Sequence, residues 1–365
     1  MKTKIFQSIL VIVVLLFVAS WFYKLIYLLV LSLIWKKEIK EKIPYRHTFM
    51  VLMAVLAVGL FHTMPRYRLH TSDRIQLIYQ DQQGNPVRPP MTHYLANVLL
   101  PEEEIMNLGI WAARCGATFI PYVGGGSILH QFQMDDWHGK IGNFYRPARK
   151  LNWSGCFMMS GTTSQVFNML GMKQTQSVYL VKPKHFDAEK KYPVVFFCHG
   201  ALGNWKLYQG LWKDLDDCIV LSVGTKDWSG IFRYNDIKQL FTRQLPFLKQ
   251  LGYQVDESQL HIMGLSNGGT AVNVAYNNFS KRLKSITYLS TGIHQTYPVR
   301  SKILMVGGGK DPSAGSNPGA YRKLQAQGSP SALYWDKDET HFILVNHQDQ
   351  ILEFLNREML GHEQK

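Results

Sequence analysis

Residues 261–270, HIMGLSNGGT, constrain the fold of this chain more than any other stretch. Their centre, Gly264-Leu265-Ser266-Asn267-Gly268, has the form G-x-S-x-G. An apolar run at 260–263 precedes it, and a helix-compatible run at 270–278 follows. A serine flanked this way sits on a sharp turn from strand to helix. Glycines are needed there because side chains would strike neighbouring backbone and because the dihedrals are unusual. Such a turn lifts the hydroxyl out of a sheet and aims the next backbone N–H, that of Asn267, at the same point.

Two further residues fall where partners of that serine belong. The apolar run 303–306 ends in Gly307-Gly308-Gly309-Lys310-Asp311-Pro312, which puts Asp311 just beyond a strand. A last strand at 331–335 leads through a polar loop to His341, and a final helix follows with Ile351, Leu352, Phe354 and Leu355 at helical spacing. The chain order serine, acid, histidine suits nucleophilic catalysis. His341 would take the Ser266 proton as general base, and Asp311 would orient the imidazole. Asp338 and Glu339 are also acidic, but they lie within three residues of His341 and follow the wrong strand. An oxyanion hole needs two donors. Asn267 N–H is one. The loop after PVVFFCHG supplies the second, Ala201 N–H, with Leu202 as the other choice. His199 reads as packing under that loop.

Strands are predicted near 177–182, 193–198, 218–223, 260–265, 284–289, 302–306 and 331–335. Helices are predicted near 205–213, 233–250, 267–279, 317–327 and 342–359. This alternation with short links implies an α/β fold, a mainly parallel sheet with helices on both faces. Over 177–360 the chain resembles the α/β-hydrolase superfamily. YPVVFFCHGALGNW, VDESQLHIMGLSNGGT and GGGKDP are similar to esterases of the polyhydroxybutyrate-depolymerase, feruloyl-esterase and dienelactone-hydrolase kind. The resemblance covers about half the chain. It implies carboxyl-ester hydrolysis through an acyl-serine, with Ser266, Asp311 and His341 in the matching positions and no metal or organic cofactor. The oxyanion loop reads His-Gly-Ala-Leu rather than the His-Gly-Gly-Gly of many relatives, and residues 75–176 match none of the motifs. Acyl transfer, thioester or peptide cleavage on the same trio, and a non-catalytic membrane binding protein on this scaffold, stay open as alternatives.

The N-terminal region reads differently. Residues 5–35 are almost continuously apolar, and a second apolar run covers 48–64. Two transmembrane helices, about 5–34 and 48–64, are therefore expected before the α/β-hydrolase domain. The net charge of +14 would otherwise suggest nucleic acid. Up to residue 75, however, 11 Lys/Arg stand against 3 Asp/Glu, so over half the excess flanks these runs, where lipid headgroups explain it better. The loop cations Lys36, Lys37, Lys40, Lys42 and Arg46 favour a multi-pass protein with its enzyme domain outside the cytoplasm. Lys2, Lys4, Arg66, Arg68 and Arg74 match that count on the opposite side. The expected organisation is a membrane anchor at 1–66, a linker and extension or cap at 67–176, and the catalytic domain at 177–365. Expected partners are a small-molecule or lipid-like ester and membrane lipids, with no nucleic acid.

Within 67–176, residues 81–86 form a turn cluster in a linker or first hairpin, and residues 91–112 read as helix. Asp135, Asp136 and His138 have no recognised metal-ligand spacing. Cys198 and Cys218 read as buried thiols. A disulfide between Cys115 and Cys156 is open to the chain only if that region lies outside the cytoplasm, and the sequence leaves the pairing open.

Overall fold

Strand β4, Tyr192–Cys198, sends Val194, Phe196 and Cys198 to one face of a sheet and Val195 and Phe197 to the other, all fully buried. An apolar run buried on both sides needs cover on both sides, which is the condition for a parallel sheet between helical layers. The computed structural model describes residues 5–9, 11, 31, 74–81, 84–87, 103, 106, 137–147, 176–201, 203–225 and 230–362. Among these, nine strands form one sheet.

The strands are β1 (Ile75–Gln80), β2 (Pro86–Val87), β3 (Gln176–Val181), β4, β5 (Ile219–Val223), β6 (Val255–Leu265), β7 (Ser285–Leu289), β8 (Lys302–Gly308) and β9 (Ser331–Asp336). Their order across the sheet is β2-β1-β3-β5-β4-β6-β7-β8-β9. From β5 to β9 every pairing is parallel, whereas β3 runs antiparallel to both β1 and β5 and β1 antiparallel to β2. The sheet is mixed and α/β-hydrolase-like.

Helices cover the two faces. On one side α1 (Trp137–Tyr145), α2 (Lys206–Trp212) and α8 (Gln348–Leu355) bury Phe144, Leu211, Trp212 and Phe354 against Phe197, Val220, Met263 and Val306. On the other, α3 (Tyr234–Gln239), α4 (Leu245–Gln250), α5 (Gly269–Phe279) and α6 (Asn317–Ala326) bury Ile237, Leu248, Ala275 and Leu324 against Phe196, Leu221, Ile262 and Met305. A short α7, Ile343–Asn346, precedes α8. Each fully buried aliphatic or aromatic side chain contributes about 1.5–3 kcal/mol relative to exposure.

The structure departs from the sequence expectations in several places. The helix expected over 233–250 is interrupted by a π-helical turn, Leu240–Gln244. There the buried Gln244 amide donates to Gln80 at 3.1 Å and Arg243 donates to the Asp81 carbonyl at 2.6 Å, tying the turn to β1. β6 starts five residues before the expected 260, and Asp256 accepts from Ser258 in that exposed lead-in. Part of the 67–176 stretch joins the main sheet, since β1 pairs with β2 and β3, and Asp81 N–H donates to the Asn85 carbonyl at 3.0 Å between the first two.

The expectation of two transmembrane helices ahead of the sheet is corrected. A crossing takes about 20 continuous apolar helical residues, and among the described residues no helix is long and apolar enough to cross a membrane. Residues 5–9 are helical, and most of the expected spans at 5–34 and 48–64 lies outside the described residues. So do Cys115 and Cys156, Asp135 and Asp136, and the helix expected over 91–112 apart from residues 103 and 106, which are helical. Of His138 only the helical backbone is described. Cys198 and Cys218 are free and buried, and burial pushes both thiols upward in pKa.

Candidate active site

The elbow forms as its sequence requires. β6 ends at Leu265, a 3-10 turn spans Ser266–Gly268, and α5 begins at Gly269. Ser266 has φ 53°, a left-handed conformation that costs a non-glycine residue about 1–3 kcal/mol. The glycines around it have no room for a side chain. A Cβ on Gly264 would lie 2.2 Å from the Gly268 carbonyl oxygen, and one on Gly268 would lie 2.3 Å from that of Cys198. Close approach of three backbone segments thus holds the strained serine.

Parallel register brings the other residues to the same edge. Leu265 is opposite Leu289, Leu289 opposite Val306, and Val306 opposite Tyr334. Ser266 directly follows β6, Asp311 lies three residues past β8, and His341 lies five past β9. The loops carrying Asp311 and His341 are zipped together. Gly309 N–H donates to the Asp336 carbonyl at 2.8 Å, and Lys310 N–H to that of Glu339 at 2.9 Å. Gly308 permits this contact, because a Cβ there would lie 2.3 Å from the Glu339 carbonyl oxygen.

Asp311 Oδ2 and His341 Nδ1 are 2.9 Å apart. The carboxylate is buried and also accepts from Ser313 N–H through Oδ1 at 2.9 Å. Since a carboxylate only accepts, Nδ1 carries the proton, and Nε2 is the basic nitrogen of a neutral His341 ring. The His341 backbone is held from β7: Ser290, at φ 47°, donates its hydroxyl to the His341 carbonyl at 3.0 Å.

The oxyanion loop lies against the serine. A Cβ on Gly200 would come within 3.1 Å of the Ser266 Cβ and 3.7 Å of its Oγ. His199 is buried beneath this loop. Its Nδ1–H donates to the Gly200 carbonyl at 2.7 Å, and its Nε2 accepts from Thr225 N–H at 3.3 Å. These two bonds define one neutral tautomer, and burial lowers the pKa to about 4. Because the C=O and N–H of a trans peptide point in opposite directions, anchoring the Gly200 carbonyl also aims the Ala201 N–H.

One segment at this site carried little signal in the sequence. Gly230, at φ +77°, packs on the same peptide: a Cβ there would lie 2.3 Å from the Gly200 carbonyl oxygen and 3.2 Å from Ala201 N. Thr225 donates its hydroxyl to the Ile231 carbonyl, and Phe232 N–H donates to Thr270 Oγ1, which itself donates to the Asn267 carbonyl. The segment after β5 thereby touches both loops that bear the expected oxyanion donors. In the sequence a Ser-Gly dipeptide is a turn signal and nothing more, so it does not point to this contact. Phe232 is buried edge-on to His199, Trp205 is buried ahead of α2, and Trp228 and Leu202 lie outside the described residues.

No family model and no curated protein matches the chain. Among solved structures it is similar to the Pyrococcus horikoshii acylaminoacyl peptidase, at 15% identity and TM-score 0.41 over 53% of this chain and 41% of that one. It is also similar to a ferulic acid esterase from Anaeromyces mucronatus, at 15% identity and TM-score 0.37 over 51% and 85%. A thermostable esterase aligns at 19% identity and TM-score 0.36 over 52% and 59%. The chain spans about two fifths of the length of the acylaminoacyl peptidases it matches. Likenesses at these scores carry no weight here, and the fold rests on the sheet order itself.

Proposed function

We propose that the protein is a serine hydrolase that cleaves a carboxylic ester through an acyl-serine intermediate. The observation that carries this reading is the 2.9 Å bond from His341 Nδ1 to the buried Asp311 carboxylate, at the sheet edge from which the strained Ser266 elbow projects. In this reading His341 Nε2 takes the Ser266 proton as Oγ attacks the ester carbonyl. The imidazolium, stabilised by Asp311, then gives the proton to the departing alkoxide. Water enters, His341 deprotonates it as its oxygen attacks the acyl carbonyl, and the imidazolium then returns that proton to Ser266 Oγ as the acyl–oxygen bond breaks and the acid leaves. Asn267 and Ala201 N–H groups hold the negative oxygen of both tetrahedral intermediates. These steps require no cofactor. The substrate is a small-molecule or lipid-like ester.

The test is turnover of p-nitrophenyl acyl esters of graded chain length, beside Ser266→Ala. The expected result is a loss of at least about 10⁴-fold in kcat for the variant, as for removal of a serine nucleophile. A fluorophosphonate probe should label the parent and not the variant. A folded parent that is neither labelled nor active on any chain length would overturn the reading.

A further inference from the structure

Residues 258–310 contain no aspartate or glutamate, yet they carry Lys281, Arg282, Lys284, Arg300, Lys302 and Lys310. The fold gathers four of these cations in one place. Lys281, Arg282, Lys284 and Arg300 line a cavity of about 1040 Å³ with Glu257, Ser258, Tyr297 and Val299. Its walls come from the first half of β6 and the segments leading into β7 and β8, so it opens at the sheet edge opposite Ser266. The separation is on the order of 17–20 Å, five or six residues of strand.

Among the described residues, the charge in this cavity is compensated only in part, by Glu257, which faces both Lys249 and Arg282. Its single carboxylate, Glu257, is paired with Lys249, and that bond holds its pKa down. Among the described residues, Lys281, Lys284 and Arg300 have no acidic partner, while their neighbour Lys302 is neutralised by Glu358 at 2.7 Å. The Arg282 guanidinium is laid over the Phe241 ring at 4.3 Å, which holds its plane and leaves its N–H edge as the donor surface. On the same wall the Tyr297 hydroxyl, a single donor, lies 2.9 Å from both Asn277 Oδ1 and the Tyr276 carbonyl oxygen, which fixes the ring. Like charges around one concavity repel each other and raise the local concentration of anions. A single carboxylate would leave most of this charge unmatched. Two or more phosphate-type charges match it, and guanidinium with ammonium groups is the donor set that such oxyanions take. The volume suits a metabolite-sized molecule.

We propose that this cavity is a binding site for a small molecule bearing at least two phosphate-type negative charges, separate from the Ser266 edge. The proposal does not depend on the hydrolase reading. The test is calorimetric titration of the full chain with inorganic pyrophosphate at constant ionic strength. The parent should show saturable binding at one site. The double variant Lys284→Gln/Arg300→Gln should weaken it by about tenfold or more, and Lys281→Gln alone by about threefold. Lys184→Gln/Lys238→Gln removes the same charge from exposed positions elsewhere and should change the affinity less than about twofold. Absence of saturable heat in the parent, or equal weakening by both double variants, would overturn the proposal. The single variant keeps the test decisive if the cavity double variant fails to fold.

Discussion

At the scale of single residues, the site is governed by which proton is where. His199 is fully buried, and its two hydrogen bonds leave no freedom of tautomer. Its contribution to the proposed reaction is to hold the Gly200–Ala201 peptide, so it is a positioning residue. His199→Gln is expected to lower kcat by about tenfold to a hundredfold, somewhat less than outright loss of an oxyanion donor. KM should change little, because the peptide matters most once the carbonyl oxygen becomes negative. A loss confined to KM, or an unchanged kcat, would count against this role. The pattern His-Gly after an apolar strand was readable. The direction of the imidazole bonds was not, since Thr225 comes from another strand end.

At the scale of elements, the Asp311–His341 pair depends on how two loops fit together. Gly308 and Gly309 let the β8 loop lie on the backbone of the β9 loop. Gly308→Ala would force a methyl group against the carbonyl oxygens of Glu339 and Thr340, at 2.3 and 2.8 Å. The loops must separate, and misplacement by about 1 Å costs on the order of a hundredfold in rate. Gly315→Ala is the control, because its added Cβ approaches nothing nearer than 3.7 Å. Steady-state kinetics on both variants, with thermal unfolding to confirm that each is folded, should show the rate loss only for Gly308→Ala. Equal rates for the two would mean that this contact does not set the pair's geometry.

At the scale of the whole molecule, two histidines make stability depend on pH. Burial lowers His199 and His261 to about 4 from an ordinary value near 6.5. For His261 the charge of Lys284 adds to the same direction. Below pH 6.5 the unfolded chain therefore binds more protons than the folded one. The stability from keeping these rings neutral is complete above 6.5 and is lost as pH falls toward 4. Each should lose about 2 kcal/mol between pH 7 and 5. Denaturant unfolding at several pH values checks this, and His261→Phe should flatten the curve by about half. A parent curve that stays level from pH 7 to 5 would contradict it.

The strand and helix succession over residues 176–360 was legible because central strands such as β4, β5, β7 and β8 are short apolar runs buried along almost their whole length, and helices such as α8 carry an apolar stripe. Local chemistry also sufficed to mark Ser266: only a tight strand-to-helix turn asks for glycines at 264 and 268. Asp311 and His341 could be ranked as partners by strand order, because parallel strands end at one edge. The 2.9 Å bond between them, the Gly230 segment over the oxyanion loop and the cation-lined cavity at the far edge were decided only by tertiary packing. The same holds for the π-helical turn in the 233–250 helix, which answers to a glutamine and an arginine reaching across to β1. Hydropathy over 5–35 and 48–64 invited a membrane reading that the described helices do not support. The reason is general: periodicity and composition report what a segment would bury, while register, loop contact and charge proximity arise between segments far apart in the chain.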